Sequence, residues 1–191
     1  MNQFFFLILQ SLYFFVPAYF ANMTPPMAKW LKVAIALDKP IDGNKKYGDG
    51  RPVLGSHKTW RGLVLGIFIG AMFYLLQVNL YMFPFFKNLS LFDYKSVDYA
   101  LFAFLLPFGA IFGDALFSFF KRRLDMKPGQ NWMIFDQTDY VIGVFAVLIP
   151  FQTLFKVVPS NIWIMLFVVT FFLHLATNLL SFKLKIKDTW W

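Results

Sequence analysis

Apolar residues run along this chain in long blocks, with the charges gathered between them. Five blocks stand out, at about 4–22, 62–84, 99–120, 138–158 and 161–182. Each is near or above the roughly 20 residues needed to cross a hydrocarbon layer. A backbone in lipid must satisfy its own polar groups, so each block predicts an α-helix. The first block lacks a basic start, and its apolar run is too long for a usual signal-peptide core, so it is predicted as a helix of the same bundle. The expected fold is an all-α integral membrane protein with five transmembrane helices, a single domain over residues 1–191.

Composition supports this class. Charged residues are only 15% of the chain and hydrophobic residues 59%, whereas an ordinary soluble domain is roughly a quarter charged. The chain has no cysteine, which excludes disulfides, thiolate metal sites and a cysteine nucleophile. A net charge of +8 raises the question of nucleic acid. The cations sit at the ends of apolar blocks, where topology signals and phosphate sites also fall, so the expected partner is the bilayer and not nucleic acid.

Those cations orient the bundle. Loop 23–61 carries eight of them, loop 121–137 carries Lys121, Arg122, Arg123 and Lys127, and the tail carries Lys183, Lys185 and Lys187. With five spans these segments share one face, which holds fifteen of the eighteen cations; Lys87, Lys95 and Lys156 fall on the other. The positive-inside rule makes the rich face cytoplasmic, with the N-terminus outside and the C-terminus in the cytoplasm. This predicts a multi-pass protein of the cell membrane with its chemistry at the cytoplasmic face.

Candidate chemistry lies on that face. Asp114 is inside the third block, about 10 Å below the cationic edge at 1.5 Å per residue. An ionisable group at that depth is costly and points to function. Asp114, Ser118 and Lys121 form one helical stripe, which a structural Asp–Lys contact would also explain. Pro128 and Gly129 then break the helix, and Asp136 and Asp139 share a face in the first turn of the fourth span. Acids there also offset a helix dipole, though that explains two acids opposite a third less well. Three carboxylates without cysteine suit a hard cation held by oxygen, Mg²⁺ above zinc. Beside a cationic cluster they suit phosphate chemistry.

The Gly-rich stretch GDGRPVLGSHKTWRG (48–62) lacks the spacing of a Walker A loop. Its amides, with Lys58 and Arg61, read either as a phosphate cradle or as an ordinary basic juxtamembrane loop. Asn22 closes the first span as a phosphate ligand or as a helix cap. His174, Thr177, Asn178 and Ser181 lie near one face of the fifth span, where interhelical hydrogen bonding accounts for them.

Four blocks carry a resemblance: PAYFANMTPP (17–26), GDGRPVLGSHKTWRG (48–62), GDALFSFFKRRLDMKPGQNWMIFDQTDYVIG (113–143) and KIKDTWW (185–191). The chain resembles the CDP-archaeol synthases and, more distantly, the phosphatidate cytidylyltransferases. Asp136-Gln137 stands where the diacylglycerol enzymes usually have Asp-Arg, which favours the archaeol branch. The resemblance implies a five-helix enzyme that uses CTP and Mg²⁺. Such an enzyme joins CMP to the phosphate of an isoprenoid-ether glycerol phosphate and releases pyrophosphate. Asp114, Asp136 and Asp139 would hold the metal, with Lys121 at the reacting groups. Asn22, Lys58, Arg61, Arg122, Arg123 and Lys127 would bind phosphates. Diacyl phosphatidic acid is the alternative acceptor, and a small transporter or lipid-binding scaffold the alternative class. Oligomeric state is not read from the sequence.

Overall fold

A computed structural model describes residues 3–127 and 130–185. The predicted break at Pro128 and Gly129, Lys187, and the closing block beyond Lys185 lie outside them. The chain forms α1 (Gln3–Trp30), α2 (Trp60–Leu80), α3 (Pro84–Leu89), α4 (Tyr99–Arg123), α5 (Phe135–Leu148), α6 (Gln152–Phe155) and α7 (Ser160–Lys183), with two short 3₁₀ turns. Among the described residues, four helices are long and apolar enough to cross a membrane: α1, α2, α4 and α7.

Two helices differ in extent from the hydropathy reading. The fourth apolar block does not form one helix over 138–158. It begins earlier, at Phe135, and stops at Leu148; Ile149 keeps helical angles, but Pro150 after it has no N–H with which to extend the ladder. α6 resumes for a single turn. The first helix runs eight residues past Asn22, through Pro25 and Pro26. Asn22 therefore caps nothing.

Pro17 shows how a helix carries proline in lipid. It has no N–H, so the Tyr13 carbonyl one turn earlier loses its helical partner. The Gln77 amide of α2, itself buried, donates to that oxygen instead.

Small residues set the helix crossings. On α2, Gly62, Gly66 and Gly70 face Pro25, Ala21 and the Pro17 carbonyl of α1. A Cβ on Gly113 would run into the carbonyl of Asp139, and one on Gly143 into Gly109 and Gly113. α4 and α5 thus touch backbone to backbone, the close approach that small-residue spacing allows in membrane helices.

The bundle has two unlike ends. At one, rings from four helices and a loop interlock. Phe14 meets Trp163 edge-on, Phe92 stacks on Phe102, and Tyr74 packs on Phe102 and Tyr94. At the other end lie the C-termini of α1, α4 and α7, the N-termini of α2 and α5, and the basic loops between them.

Candidate active site

The α4–α5 crossing decides where the acids stand. Gly113 lies against the Asp139 backbone, so the adjacent Asp114 comes beside Asp139. Asp139 is 5% exposed, accepts a hydrogen bond from the Tyr140 N–H at 2.7 Å, and feels the charges of Asp114, Lys58 and Asp136.

The other two acids are engaged by lysines. Lys58 Nζ donates to Asp114 Oδ2 at 2.6 Å. Lys121 Nζ donates to both Asp136 oxygens at 2.8 and 2.6 Å, and the Trp132 N–H also reaches Asp136, at 2.9 Å. The Asp114–Lys121 contact that would have given the α4 stripe a purely structural reading is not made; each end of the stripe pairs with another segment. All four side chains are half-buried or better, where a charge without its partner is expensive.

The loop after α1 holds Lys58 in place. The Ile41 N–H donates to the Lys58 carbonyl at 2.8 Å, and the Trp60 N–H to that of Lys39 at 3.0 Å. The Asp42 carboxylate gathers the N–H groups of Leu54, Gly55 and Asn44. Desolvation pushes the Asp42 acid up, but these backbone donors together outweigh it and hold it below the usual carboxylate range. His57 is held below its usual value by burial, then by the charges of Lys29, Lys58 and Arg122, which keeps it neutral at pH 7.

At the same end of the bundle opens a cleft of about 390 Å³, lined in part by Lys46, Arg51, Ser56, Arg122, Asp125 and Lys127, residues of the loops that carry Lys58 and follow Lys121. Arg122 is nearly buried, and its Nε has no hydrogen-bond partner among the described residues. Lys46, Arg51 and Ser56 are additions to the residues expected from the sequence. Their signal was only the general basicity of the loop.

Two of the remaining expected residues are paired elsewhere. Arg123 bonds Asp49 at 2.9 Å and sits over the rings of Tyr47 and Phe119. Arg61 is 4% exposed and pairs with Asp38 at 2.9 Å. Asn22 forms no hydrogen bond with the acid group. In α7, Thr177 bonds the His174 carbonyl within the helix, and the His174 ring packs on Tyr140. Between helices, the Tyr19 and Thr170 hydroxyls of α1 and α7 meet at 2.8 Å.

Paired acids and lysines at one end of an apolar bundle, with a cationic cleft at that same end, are equipment for binding phosphates at a membrane surface. The CarS-like CDP-archaeol synthase family matches residues 4–191. The chain belongs to the CDP-archaeol synthase family. CDP-archaeol synthases of Methanocaldococcus jannaschii and Thermococcus onnurineus are 36% and 38% identical to it, over 99% and 96% of this chain and 100% and 97% of theirs. A solved structure of an intramembrane enzyme for archaeal membrane lipid biosynthesis superposes with a TM-score of 0.68. It is 26% identical, over 90% of this chain and 94% of that one. As a CDP-archaeol synthase family member the chain is a CTP-dependent nucleotidyltransferase, and its apolar helices make it an integral membrane protein.

Carboxylate oxygens are the donors a hard divalent cation prefers. Among the described residues, however, no three carboxylate or imidazole side chains cluster as metal ligands would. Lysines hold two of the three acids.

Proposed function

We propose that this enzyme transfers CMP from CTP to the phosphate of an isoprenoid-ether glycerol phosphate, giving a CDP-lipid and pyrophosphate. The observation that carries this is the pairing of Asp114 with Lys58 and of Asp136 with Lys121, both within electrostatic reach of the buried Asp139, at the end of the bundle that also holds the cationic cleft. A phosphate oxygen of the lipid attacks the α-phosphorus of CTP. A new P–O–P bond forms, the bond to the β-phosphate oxygen breaks, and pyrophosphate leaves with the electron pair. The attacking phosphate is already ionised at neutral pH, so no strong base is needed. Positioning and charge neutralisation carry the rate.

In this reading Arg122, Lys127, Lys46 and Arg51 bind the triphosphate in the cleft. Lys58 and Lys121 exchange their carboxylate partners for phosphate oxygens. Asp114, Asp136 and Asp139 do not cluster as ligands in this arrangement, and would hold Mg²⁺ once the lysines release two of them and the three side chains draw together. When bound, that ion neutralises phosphate charge and polarises the α-phosphate. An apolar groove of about 530 Å³ between α5 and α7, lined by Phe135, Ile142, Val168 and Phe171 among others, suits a lipid tail whose phosphate lies near Asp136. The charged end is the cytoplasmic one, and α5 with α6 makes a broken fifth traverse. Lys87, Lys95 and Lys156 remain on the outer side.

A transporter reading needs polar groups near the midplane, open to both faces. The acids sit at one end here, and rings fill the other. The deciding experiment incubates the reconstituted protein with labelled CTP, Mg²⁺ and either ether-isoprenoid glycerol phosphate or diacyl phosphatidic acid. A CDP-lipid and pyrophosphate are expected with the ether lipid, and loss of product in Asp114→Asn, Asp136→Asn and Asp139→Asn with insertion intact. Turnover of the diacyl lipid alone would reassign the acceptor. Near-normal turnover in all three variants would remove the metal assignment.

A further inference from the structure

Residues 29–39 are exposed without interruption, and seven of the eleven are apolar: Trp30, Leu31, Val33, Ala34, Ile35, Ala36 and Leu37. Ile35 is 64% exposed and Trp30 53%. Water would not favour such a tract. Nor does the tract continue a transmembrane helix, because α1 stops at Trp30 and the chain reverses through Lys32 and Ala34, both at positive φ.

Three features say what covers it. First, Lys29, Lys32 and Lys39 are interleaved with the apolar residues, a mixture that suits anionic headgroups over a shallow apolar layer. Second, the tract's backbone is largely self-satisfied. The N–H groups of Leu31, Lys32, Val33, Leu37, Asp38 and Lys39 bond within it or back to α1, so a poorly hydrated layer costs it little. Third, Trp60, exposed at the start of α2, joins Trp30 at the same end of the bundle. Tryptophans collect at membrane interfaces.

We propose that residues 29–39 lie in the headgroup layer of an anionic bilayer as a surface anchor that sets the depth of Lys58. The link to Lys58 is direct. Asp38, at the end of the tract, pairs with Arg61 at 2.9 Å. Lys39 accepts from Trp60, and Ile41 donates to Lys58 itself. Headgroup level therefore fixes, through a few bonds, the height of the ammonium that meets Asp114. The anchor does not depend on what reaction follows.

The absence of cysteine makes the test clean. Ile35→Cys, and Asn44→Cys as the exposed control, are labelled with nitrobenzoxadiazole. The full chain is then placed in vesicles of phosphatidylcholine mixed with phosphatidylglycerol. The position-35 probe is expected to emit further to the blue, to be quenched by lipids carrying a shallow doxyl group, and to be shielded from aqueous iodide. The position-44 probe should behave oppositely. Lipid quenching at position 35 should fall at least twofold in vesicles of phosphatidylcholine alone. Equal iodide access at both positions overturns the anchor. So does a position-35 probe shielded from both quenchers, which would mean a protein partner or second copy covers the tract. Equal lipid quenching in both vesicle types overturns the assignment to anionic headgroups.

Discussion

Arg61 and Asp42 show how little a side chain's type says about its work. Arg61 reads in the sequence as a phosphate ligand, yet its guanidinium is buried on Asp38. Arg61→Ala should therefore cost about 1–3 kcal/mol of stability, as breaking partly buried pairs does. It should lower the melting temperature while the KM for CTP moves little; a large rise in KM with unchanged melting would restore the phosphate role. Asp42 had no reading at all, because its bonds to Leu54 and Gly55 span a dozen residues of loop. Its acid is depressed in the folded chain. The stability it gives is thus fully present above the ordinary carboxyl value of about 4 and is lost as pH falls through the lower folded value. Asp42→Asn should speed amide exchange at Leu54 and Gly55 about tenfold at neutral pH and should lose that acid dependence. The acids themselves were legible, since a carboxylate inside an apolar block has few uses. Their partners were not: Lys58 reaches Asp114 across 56 residues, which no local spacing encodes.

Among the helices, hydropathy located the apolar segments but not where each stops. The first span reads as closing at Asn22, yet α1 continues through Pro25 and Pro26; Pro150 falls inside the span read at 138–158, yet α5 stops just before it. The difference is packing. Pro25 lies against Gly62 of α2, whereas Ile149 and Phe151, on either side of Pro150, are exposed. The α4–α5 crossing was written in the spacing of Gly109 and Gly113, which shows only once a partner glycine is known. Gly113→Val pushes a branched side chain into the Asp139 backbone. Overpacking of this kind costs about 1–3 kcal/mol, and here it also separates Asp114 from Asp139. Activity should fall at least tenfold while the protein still inserts. An equally bulky change on the lipid-exposed α2 face, such as Val64→Phe, should leave activity unchanged, and equal losses in both would show that the crossing has no special role.

On the scale of the whole molecule, the uneven distribution of cations was legible because it depends only on counting. The structure gathers the same loops at one end. With that end in the cytoplasm, a cysteine at Lys45 should react with an impermeant maleimide only after spheroplasts are opened, and one at Lys95 should react in intact spheroplasts. The reverse pattern would invert the topology. The opposite end has a consequence of its own. Phe14, Trp163, Phe92, Phe102 and Tyr74 interlock there. Such a ring-packed floor is expected to stop water that follows the nucleotide inward, so vesicles loaded with the protein should hold a proton gradient as long as empty ones; rapid collapse of the gradient would show that the floor is open.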